Sequence, residues 1–515
     1  MKHSLFSTWF LALLAVLHAE LVRSDPLSSE TDVCIYGATA AGVSAAVQAI
    51  RMNHTVALID PGKHLGGLSS GGLGATDIGN KAAIGGIARE FYQRVAEHYS
   101  HDAAWTLETR QEYFAKRGGS QVQASDLAAT NATMWTFEPH VAEAILNRML
   151  REPRLPGQPG RQQRDGLVRW EERLASVQKQ GRRLVSLTTQ NGDVFRAQIF
   201  IDASYEGDLM AMAGVSYTVG REPNSKYGET LNGVRAETPQ HQFMVPVDPF
   251  RQPGDSSSGL LPFIQPGDGG KPGEGDSRVQ TYNFRLCFTT NASNRLPVAP
   301  PPNYDPGNYE LLARYLDALA AAGKKPVLDD LWNPIWMPNG KTDVNNNGGF
   351  STDFIGANYE YPNARYSLRE TICQEHENYT RGFLTFLATS PRVPENIRAE
   401  MRLWGPCKDE FADTGGWPRQ LYVREARRMV SDYVMTEHNC RGSVKAEDAV
   451  GLGAYNMDSH NCQRIVRNGH VENEGDVQVP VKPYPISYRS IIPKASECAN
   501  LLVPVCVSAT HVGWG

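Results

Sequence analysis

The chain of 515 residues is 41% hydrophobic and 21% charged, a globular composition with room for two domains or for one inserted in another. A net charge of −5 argues against nucleic acid or an anionic membrane as partner. Eight cysteines with no C-x-x-C pair argue against a zinc centre or a dithiol redox motif.

The N-terminus reads as a secretory signal over residues 1–24. Lys2 and His3 precede an apolar run at 5–17, and Ala19 or Ser24 can precede the cleavage point. The run is short for a membrane span; an uncleaved signal anchor is the alternative. No later segment is long and apolar enough to cross a bilayer, so a soluble extracellular protein is expected. Export permits disulfides among the cysteines after Cys34, which itself sits in an apolar strand as buried filler. Sequons at Asn53, Asn131, Asn291 and Asn378 predict a glycoprotein. Asn53 is the poorest acceptor of the four, because a buried strand follows it.

Residues 32–67 carry the first functional signal. Asp32-Val-Cys-Ile-Tyr-Gly37 is a short apolar strand entering a glycine turn. Ala38-Thr-Ala-Ala-Gly42 opens a small-residue helix, and Val56-Ala-Leu-Ile-Asp60 is a second strand ending on an acid. That order predicts a dinucleotide site. Gly37 permits the tight turn. Backbone N–H groups of Ala38, Thr39 and Ala41 can face a pyrophosphate, helped by the helix dipole. Gly42 lacks a Cβ, so helix and strand can pack closely. Asp60 can accept from both ribose hydroxyls, and its charge repels a 2′-phosphate. Thr39 replaces the middle glycine of G-x-G-x-x-G, narrowing the space beside the pyrophosphate while offering it a hydroxyl. Gly66, Gly67 and Ser69 begin a glycine-rich run to Gly74 that lets main chain approach a flat ligand. The bland alternative is a βαβ turn that binds nothing.

Helices are predicted at 87–99 and 138–150, the latter with Pro139 in its first turn. From 167 to 201 the pattern is β: residues 184–189 alternate, Asn191-Gly192 forms a hairpin turn, and 195–201 is the partner. Asp202 and Ala203 then begin a second small-residue turn able to touch a cofactor with main chain. Residues 249–277, rich in Pro, Gly, Ser and Asp, read as a mobile loop or linker. Up to about residue 400 strands such as 280–289 mix with helices such as 309–322. The expected organisation is a Rossmann-like α/β domain at 31–230, an inserted mixed α+β substrate domain at 231–400, and a return to the first domain over 401–515.

Further segments are more specific than the glycine turn. They are Phe200-Ile-Asp-Ala-Ser-Tyr-Glu-Gly-Asp-Leu-Met, Tyr282-Asn-Phe-Arg-Leu-Cys, Lys341-Thr-Asp-Val-Asn-Asn-Asn-Gly, and Ser351-Thr-Asp-Phe-Ile-Gly-Ala-Asn. Trp417-Pro-Arg-Gln-Leu-Tyr-Val-Arg-Glu-Ala-Arg-Arg-Met, Tyr455-Asn-Met-Asp-Ser-His and Ser487-Tyr-Arg-Ser-Ile-Ile-Pro-Lys complete the set. With these, most of residues 31–515 resembles the FAD-dependent oxidoreductase family of the glutathione-reductase-like flavoprotein superfamily. The resemblance implies FAD on the Rossmann-like domain and an inserted domain that covers the flavin and selects a small-molecule substrate. It also implies that Leu501-Leu-Val-Pro-Val-Cys-Val-Ser-Ala-Thr-His-Val runs on into a further helix beside the flavin. The sequence stops at Gly515, short of that pattern.

In such an enzyme a side chain removes the substrate proton while the flavin takes a hydride, and histidine suits that role near neutrality. His460, in a polar turn after Tyr455, is the leading base; a structural loop histidine is the alternative. His511 is the second candidate, from the segment expected near the flavin. Arg424, Glu425, Arg427 and Arg428 read as helical, with Arg424 and Arg428 on one face. There they can hold a carboxylated or polyhydroxylated substrate or the flavin's pyrimidine carbonyls, the alternative being an ion-pair network between domains. Tyr488 and Arg489 are assigned likewise. Asp343-Val-Asn345-Asn-Asn347-Gly348 begins like a calcium loop, but Phe354 stands where a bidentate glutamate is needed. A polar turn lining the substrate cleft, and no metal site, is expected instead. No G-x-S-x-G elbow supports serine hydrolysis. Together these residues predict a secreted FAD-dependent oxidoreductase moving a hydride from a small polar substrate, such as a sugar, sugar acid or amine, to flavin. A catalytically inactive secreted carbohydrate-binding or interaction protein and a polysaccharide lyase are the alternatives.

Overall fold

The computed structural model describes residues 26–117, 131–152 and 167–513; the signal region expected at 1–24 lies outside them. β1 (Ser28–Tyr36) enters the Gly37 turn, α1 (Ala40–Arg51) follows, and β2 (Val56–Ile59) returns parallel to β1 with Tyr36 opposite Ile59. α2 (Gly86–Ser100) and α3 (Pro139–Arg151) pack on the same face as α1. β3 (Val168–Arg169) extends the sheet beside β2. β4 (Leu174–Gln180), β5 (Arg183–Thr189) and β6 (Val194–Asp202) form an antiparallel meander whose last strand lies parallel to β1. The resulting order β3-β2-β1-β6-β5-β4 sends chain to both sides of β1, so a crevice opens at the C-terminal end of that strand. Ile35 and Leu58 face the three helices. Cys34, Tyr36, Ala57 and Ile59 face a second apolar layer with Met210 and Leu501. Burial on both faces explains the unbroken Val-Ala-Leu-Ile run of β2.

Residues 249–277 are more ordered than the composition suggests. After β7 (Tyr217–Thr218), β8 (Phe250–Gln252) and β9 (Asp255–Leu260) form a hairpin around Pro253-Gly254, with Gly254 at φ 78°. The glycine-rich part is pinned by backbone bonds from Gly273 to Val234 and from Arg221 to Asp276. Here proline and glycine build turns rather than mobility. The strand expected over 280–289 narrows to β10 (Leu286–Thr289), preceded by a single bridge between Asn283 and Tyr422.

α4 (Glu310–Ala321), β11 (Trp332–Met337), β12 (Lys341–Asn346), α5 (Tyr366–Thr389) and β13 (Gly405–Pro406) complete a second layer. Its antiparallel sheet, β11-β12-β10-β13, shares a core with α4 and α5 through Leu312, Leu316, Trp332, Phe383 and Leu387. Asp343 lies inside β12, so the turn expected at 343–348 begins as a strand. Its carboxylate is buried against Arg285, Oδ1 to Nε 2.7 Å, which lets a charged residue occupy a sheet interior.

The helix expected at 424–428 is extended chain. Arg428 and Met429 form β14 (Arg428–Met429) against β7. The cause is tertiary: Arg424 reaches Asp353 at 3.2 Å, Arg427 reaches Asp208 at 2.7 Å and Arg428 reaches Glu222 at 2.8 Å, partners that lie in different directions. β15 (Ala449–Gly453), β16 (Met457–Ser459), β17 (Gln463–Arg467), β18 (His470–Glu474), β19 (Val477–Val479) and β20 (Tyr484–Ser487) pair as three ribbons, β15·β20, β16·β19 and β17·β18. β21 (Leu501–Leu502) returns parallel to β6. The eight cysteines are free thiols, Cys287 and Cys407 with their sulfurs 3.7 Å apart. Among the described residues no helix is long and apolar enough to cross a membrane.

Candidate active site

The crevice at the end of β1 opens into a cavity of about 500 Å³ whose lining includes Gly37, Thr39, Asp60, Gly67, Ser204 and Tyr205. Gly37 has φ 100°, and a Cβ there would lie 2.6 Å from the Ser204 nitrogen. A Cβ on Gly42 would collide with the Gly37 carbonyl, so helix and turn meet backbone to backbone. Asp60 Oδ2 accepts from the Ala38 N–H at 2.6 Å and Oδ1 from the Gly62 N–H at 2.7 Å. Burial pushes the Asp60 carboxyl up, and these two bonds oppose the rise. Each oxygen keeps a lone pair for a further hydroxyl. Ala41 lies in the first turn of α1. Gly66, left-handed at φ 97°, donates to the Ala38 carbonyl at 2.7 Å. Ser69 closes the short turn Gly67–Ser69 and lines neither this cavity nor the next.

Five expectations change here. The Ala38 N–H, expected to face a pyrophosphate, is taken by Asp60 Oδ2 at 2.6 Å. The Thr39 hydroxyl is committed to protein: it donates to the Ala203 carbonyl at 2.7 Å and caps α1 by accepting from the Gly42 N–H. Asp202 and Ala203 sit behind the turn. Asp202 is fully buried and accepts from the Ser204 N–H, the Ser204 hydroxyl and the Met210 N–H; burial pushes it up to about 6. The residues one step on, Ser204 and Tyr205, reach the cavity instead. The glycine-rich run packs against protein, since a Cβ on Gly72 would strike the Arg285 carbonyl and one on Gly74 the Met337 side chain. Finally, Tyr488 and Arg489 are remote from both cavities. Tyr488 is 44% exposed, and Arg489 pairs with Asp448 at 3.1 Å on the surface. Their short turn follows β20 at the rim of a ribbon.

Tyr205 also lines a second cavity of about 220 Å³, together with Leu68, Gln280, Tyr422, Arg424 and His511. Its hydroxyl accepts from the Leu68 N–H at 2.9 Å, tying the two chambers at one point. His511 is buried between Glu425 Oε2 at Nδ1 and Ser459 Oγ at Nε2, each 2.9 Å away. Burial, reinforced by Arg428 and Arg221, pushes it down to about 3. A neutral ring with both nitrogens engaged is a positioning group rather than a poised base.

His460 follows β16 directly, where a turn was expected. Its Nδ1 lies 3.0 Å from Asp353 Oδ2, its backbone N–H donates to Gln280 Oε1 at 3.0 Å, and the His241 ring stacks on it at 6.0 Å. Asp353 is fully enclosed; burial opposes its charge, but Arg424 and His460 outweigh it and hold the carboxyl below the usual range. A carboxylate at Nδ1 fixes the proton there and leaves Nε2 as the acceptor. The guanidinium groups of Arg424 and Arg285 lie 4.5 and 5.9 Å from the centre of the Tyr422 ring. Asp353, Tyr205, Tyr422 and Arg285 escaped the residue-level reading, although all four lie in or beside segments that resembled the family. Elsewhere Glu138, His140 and Glu410 converge as metal ligands can. The Lys341 ammonium already fills that role, 2.8 Å from Glu138, 2.7 Å from Glu410 and 2.9 Å from Asp409.

A sheet with a parallel core of β3, β2, β1 and β6, an acid-ended second strand and adjoining chambers defines an α/β protein of the Rossmann-like, dinucleotide-binding class. Over residues 32–515 the chain matches the FAD dependent oxidoreductase family; it belongs to that family, and FAD is its cofactor. A search of the curated proteins finds no match. Among solved structures the chain is similar to an oxidised steroid monooxygenase bound to NADP, at 17% identity and TM-score 0.20, over 34% of this chain and 26% of that one. It is similar to AlpK at 16% and 0.25, over 50% and 41%. It is also similar to L-amino acid deaminase from Proteus vulgaris at 13% and 0.25, over 44% and 56%. The chain thus spans about a quarter to just over half of these proteins, and family membership rests on the match over 32–515.

Proposed function

We propose that the larger chamber holds the ADP half of FAD and the smaller one its ring, with His460 as the base in two-electron oxidation of a small polar substrate. The donor set fits the cofactor. Asp60 keeps free lone pairs at the crevice floor, Gly37 and Thr39 of the turn before α1 line the cavity, and Arg424 lines the second chamber with a buried Nε–H that has no partner. Such a donor suits a ring carbonyl. Bound FAD supplies the acceptor for the electron pair. The chain's own residues do the rest. Asp353 holds the His460 tautomer and stabilises the imidazolium once Nε2 has taken a proton. Arg424 offsets the Asp353 charge, and Gln280 fixes the His460 backbone at the chamber wall. Residues 231–400 act as the substrate-selecting insertion. Export accompanies this reading, supported by the apolar run at 5–17.

The observation that carries the proposal is the Asp353–His460 pair, held by Arg424 and Gln280 of the second chamber's wall, which shares Tyr205 with the crevice at the end of β1. Anaerobic mixing of the FAD-loaded protein with candidate substrates tests it. His460→Ala should keep its flavin and slow reduction by about 100-fold or more; unchanged reduction removes His460 as base.

A further inference from the structure

The ribbon that carries His460 presents more acid than base. In β16·β19, Asp458 lies opposite Gln478 and Ser459 opposite Val477. Continuing that register sets His460 opposite Asp476. Alternate residues of a strand share a face, and directly opposed residues share it too. Asp458, His460, Asp476 and Gln478 therefore project together, while Met457, Ser459 and Val477 are buried on the other side. The Gln478 amide, 3.4 Å from Asp476 Oδ2, agrees with that arrangement.

A loop adds a third carboxylate. The Asn80 N–H donates to the Ala454 carbonyl at 3.1 Å, and Gly79 lies so close to Ala454 that a Cβ there would collide. This seats residues 77–80 on the start of the ribbon. Asp77 is open to solvent yet flanked by Asp458, Asp343, Arg285 and His460, as a group on a cleft floor would be.

The cations nearby are already balanced. Arg424 pairs with Asp353, and Arg285 pairs with Asp343 through two bonds of 2.7 and 2.8 Å. Among the described residues Asp77 and Asp458 have no ion-pair partner. Asp476 is 4% exposed with Oδ1 unpaired, and the neighbouring His241 has a buried, unpaired Nδ1. Unpaired buried polar atoms on the same face as two uncompensated carboxylates mark a place completed by a ligand of opposite charge.

We infer that this cleft takes a cationic substrate, a primary amine bound as its ammonium by Asp77 and Asp458 with Asp476 behind them, beside the His460 imidazole. The inference rests on the proposed role of the His460 cleft and names its substrate class. A carboxylated substrate would meet uncompensated acids. A neutral polyol would leave their mutual repulsion in place. Burial pushes Asp476 up to about 7, with His460 opposing and Asp458 reinforcing. A bound ammonium favours its ionised form, so amine binding should tighten as pH rises through that value.

Calorimetric titration of the FAD-loaded full chain with benzylamine, benzyl alcohol and benzoate, equal in shape and different in charge, tests this. Benzylamine should bind at least about tenfold tighter than the alcohol, and benzoate should not bind. Asp77→Asn and Asp458→Asn should each remove most of that preference, Asp458→Glu should restore part of it, and Asp476→Asn should flatten its pH dependence. Equal binding of amine and alcohol, tighter binding of benzoate, or a preference untouched by both asparagine variants overturns the inference. The two readings fail separately. Amines that bind without anaerobic flavin reduction defeat the oxidase reading and leave this one standing; reduction by uncharged alcohols with no amine binding does the reverse.

Discussion

The nucleotide crevice and the His460 cleft are built in opposite ways. The crevice is local: Asp60 and its donor Ala38 are 22 positions apart, and backbone contacts between glycines set its shape. The cleft is assembled from afar, with Asp353 and His460 separated by 107 positions and Asp353 and Arg424 by 71. Charges balanced against one another, rather than close backbone approach, hold it together. The first should therefore fail on added volume and the second on lost charge.

Gly42→Val should give the largest effect. Its Cβ meets the Gly37 carbonyl, a backbone atom that cannot step aside. Overpacking at such a place costs about 3 kcal/mol or more. The expected outcome is a lower denaturation midpoint and loss of FAD on gel filtration. A variant that keeps stoichiometric flavin would break the idea that the crevice is shaped by missing side chains. Asp353→Asn comes next and sharpens the contrast, because it keeps volume and removes charge. It leaves the buried Arg424 guanidinium without its anion, a loss of about 3 kcal/mol, and frees His460 to rotate. Flavin should remain bound while its reduction slows by about 100-fold. Loss of flavin with an unchanged reduction rate in the fraction that retains it would mean that the two regions are one.

The same contrast explains what could be read from the sequence. The tight turn at Gly37, the close approach at Gly42 and the acid after β2 at Asp60 were legible because each follows from neighbours along the chain. The hairpin at 183–202 was legible for the same reason, with Asn191-Gly192 at its turn. Arg424 to Arg428 have a spacing that suits a helical face, yet their acids, Asp353, Asp208 and Glu222, come from other segments that no local pattern reveals. Asp202 looked like a cofactor contact because its turn resembles that of Gly37. Yet its carboxylate has three donors of its own within the turn and the helix after it. Asp353 could be quoted from its motif, but no local pattern assigns a partner 107 positions away.

Asp476 offers a smaller test of how the cleft stores unfavourable charge. Raised from 3.8 to about 7, it holds a proton in the folded state that the unfolded chain releases. Stability should therefore fall as pH rises from about 4 to about 7, with the loss complete above that. Asp476→Asn removes this contribution. The two proteins should match near pH 4, and the variant should be more stable at pH 8 by a few kcal/mol, on the order of the shift. Denaturant midpoints at both pH values measure it. Equal midpoints at pH 8 would mean that Asp476 is as well solvated folded as unfolded, and the cleft would no longer differ from surface acid.

Arg489→Ala should do least. Its guanidinium stacks over Tyr433 at 4.7 Å and pairs with Asp448, but half of the side chain faces solvent. Water and salt already screen that pair. Flavin content and reduction rate should stay within about twofold of the parent, and Tyr488→Phe should behave alike. The comparison makes this a sharp expectation, because Arg424 and Arg489 both face a single aspartate and differ chiefly in burial. If removing Arg489 slowed flavin reduction as much as removing Asp353, exposure would not separate functional from structural ion pairs in this protein. The cleft would then have to reach the surface turn at 488–490, where Arg489 pairs with Asp448 and not with the groups around His460.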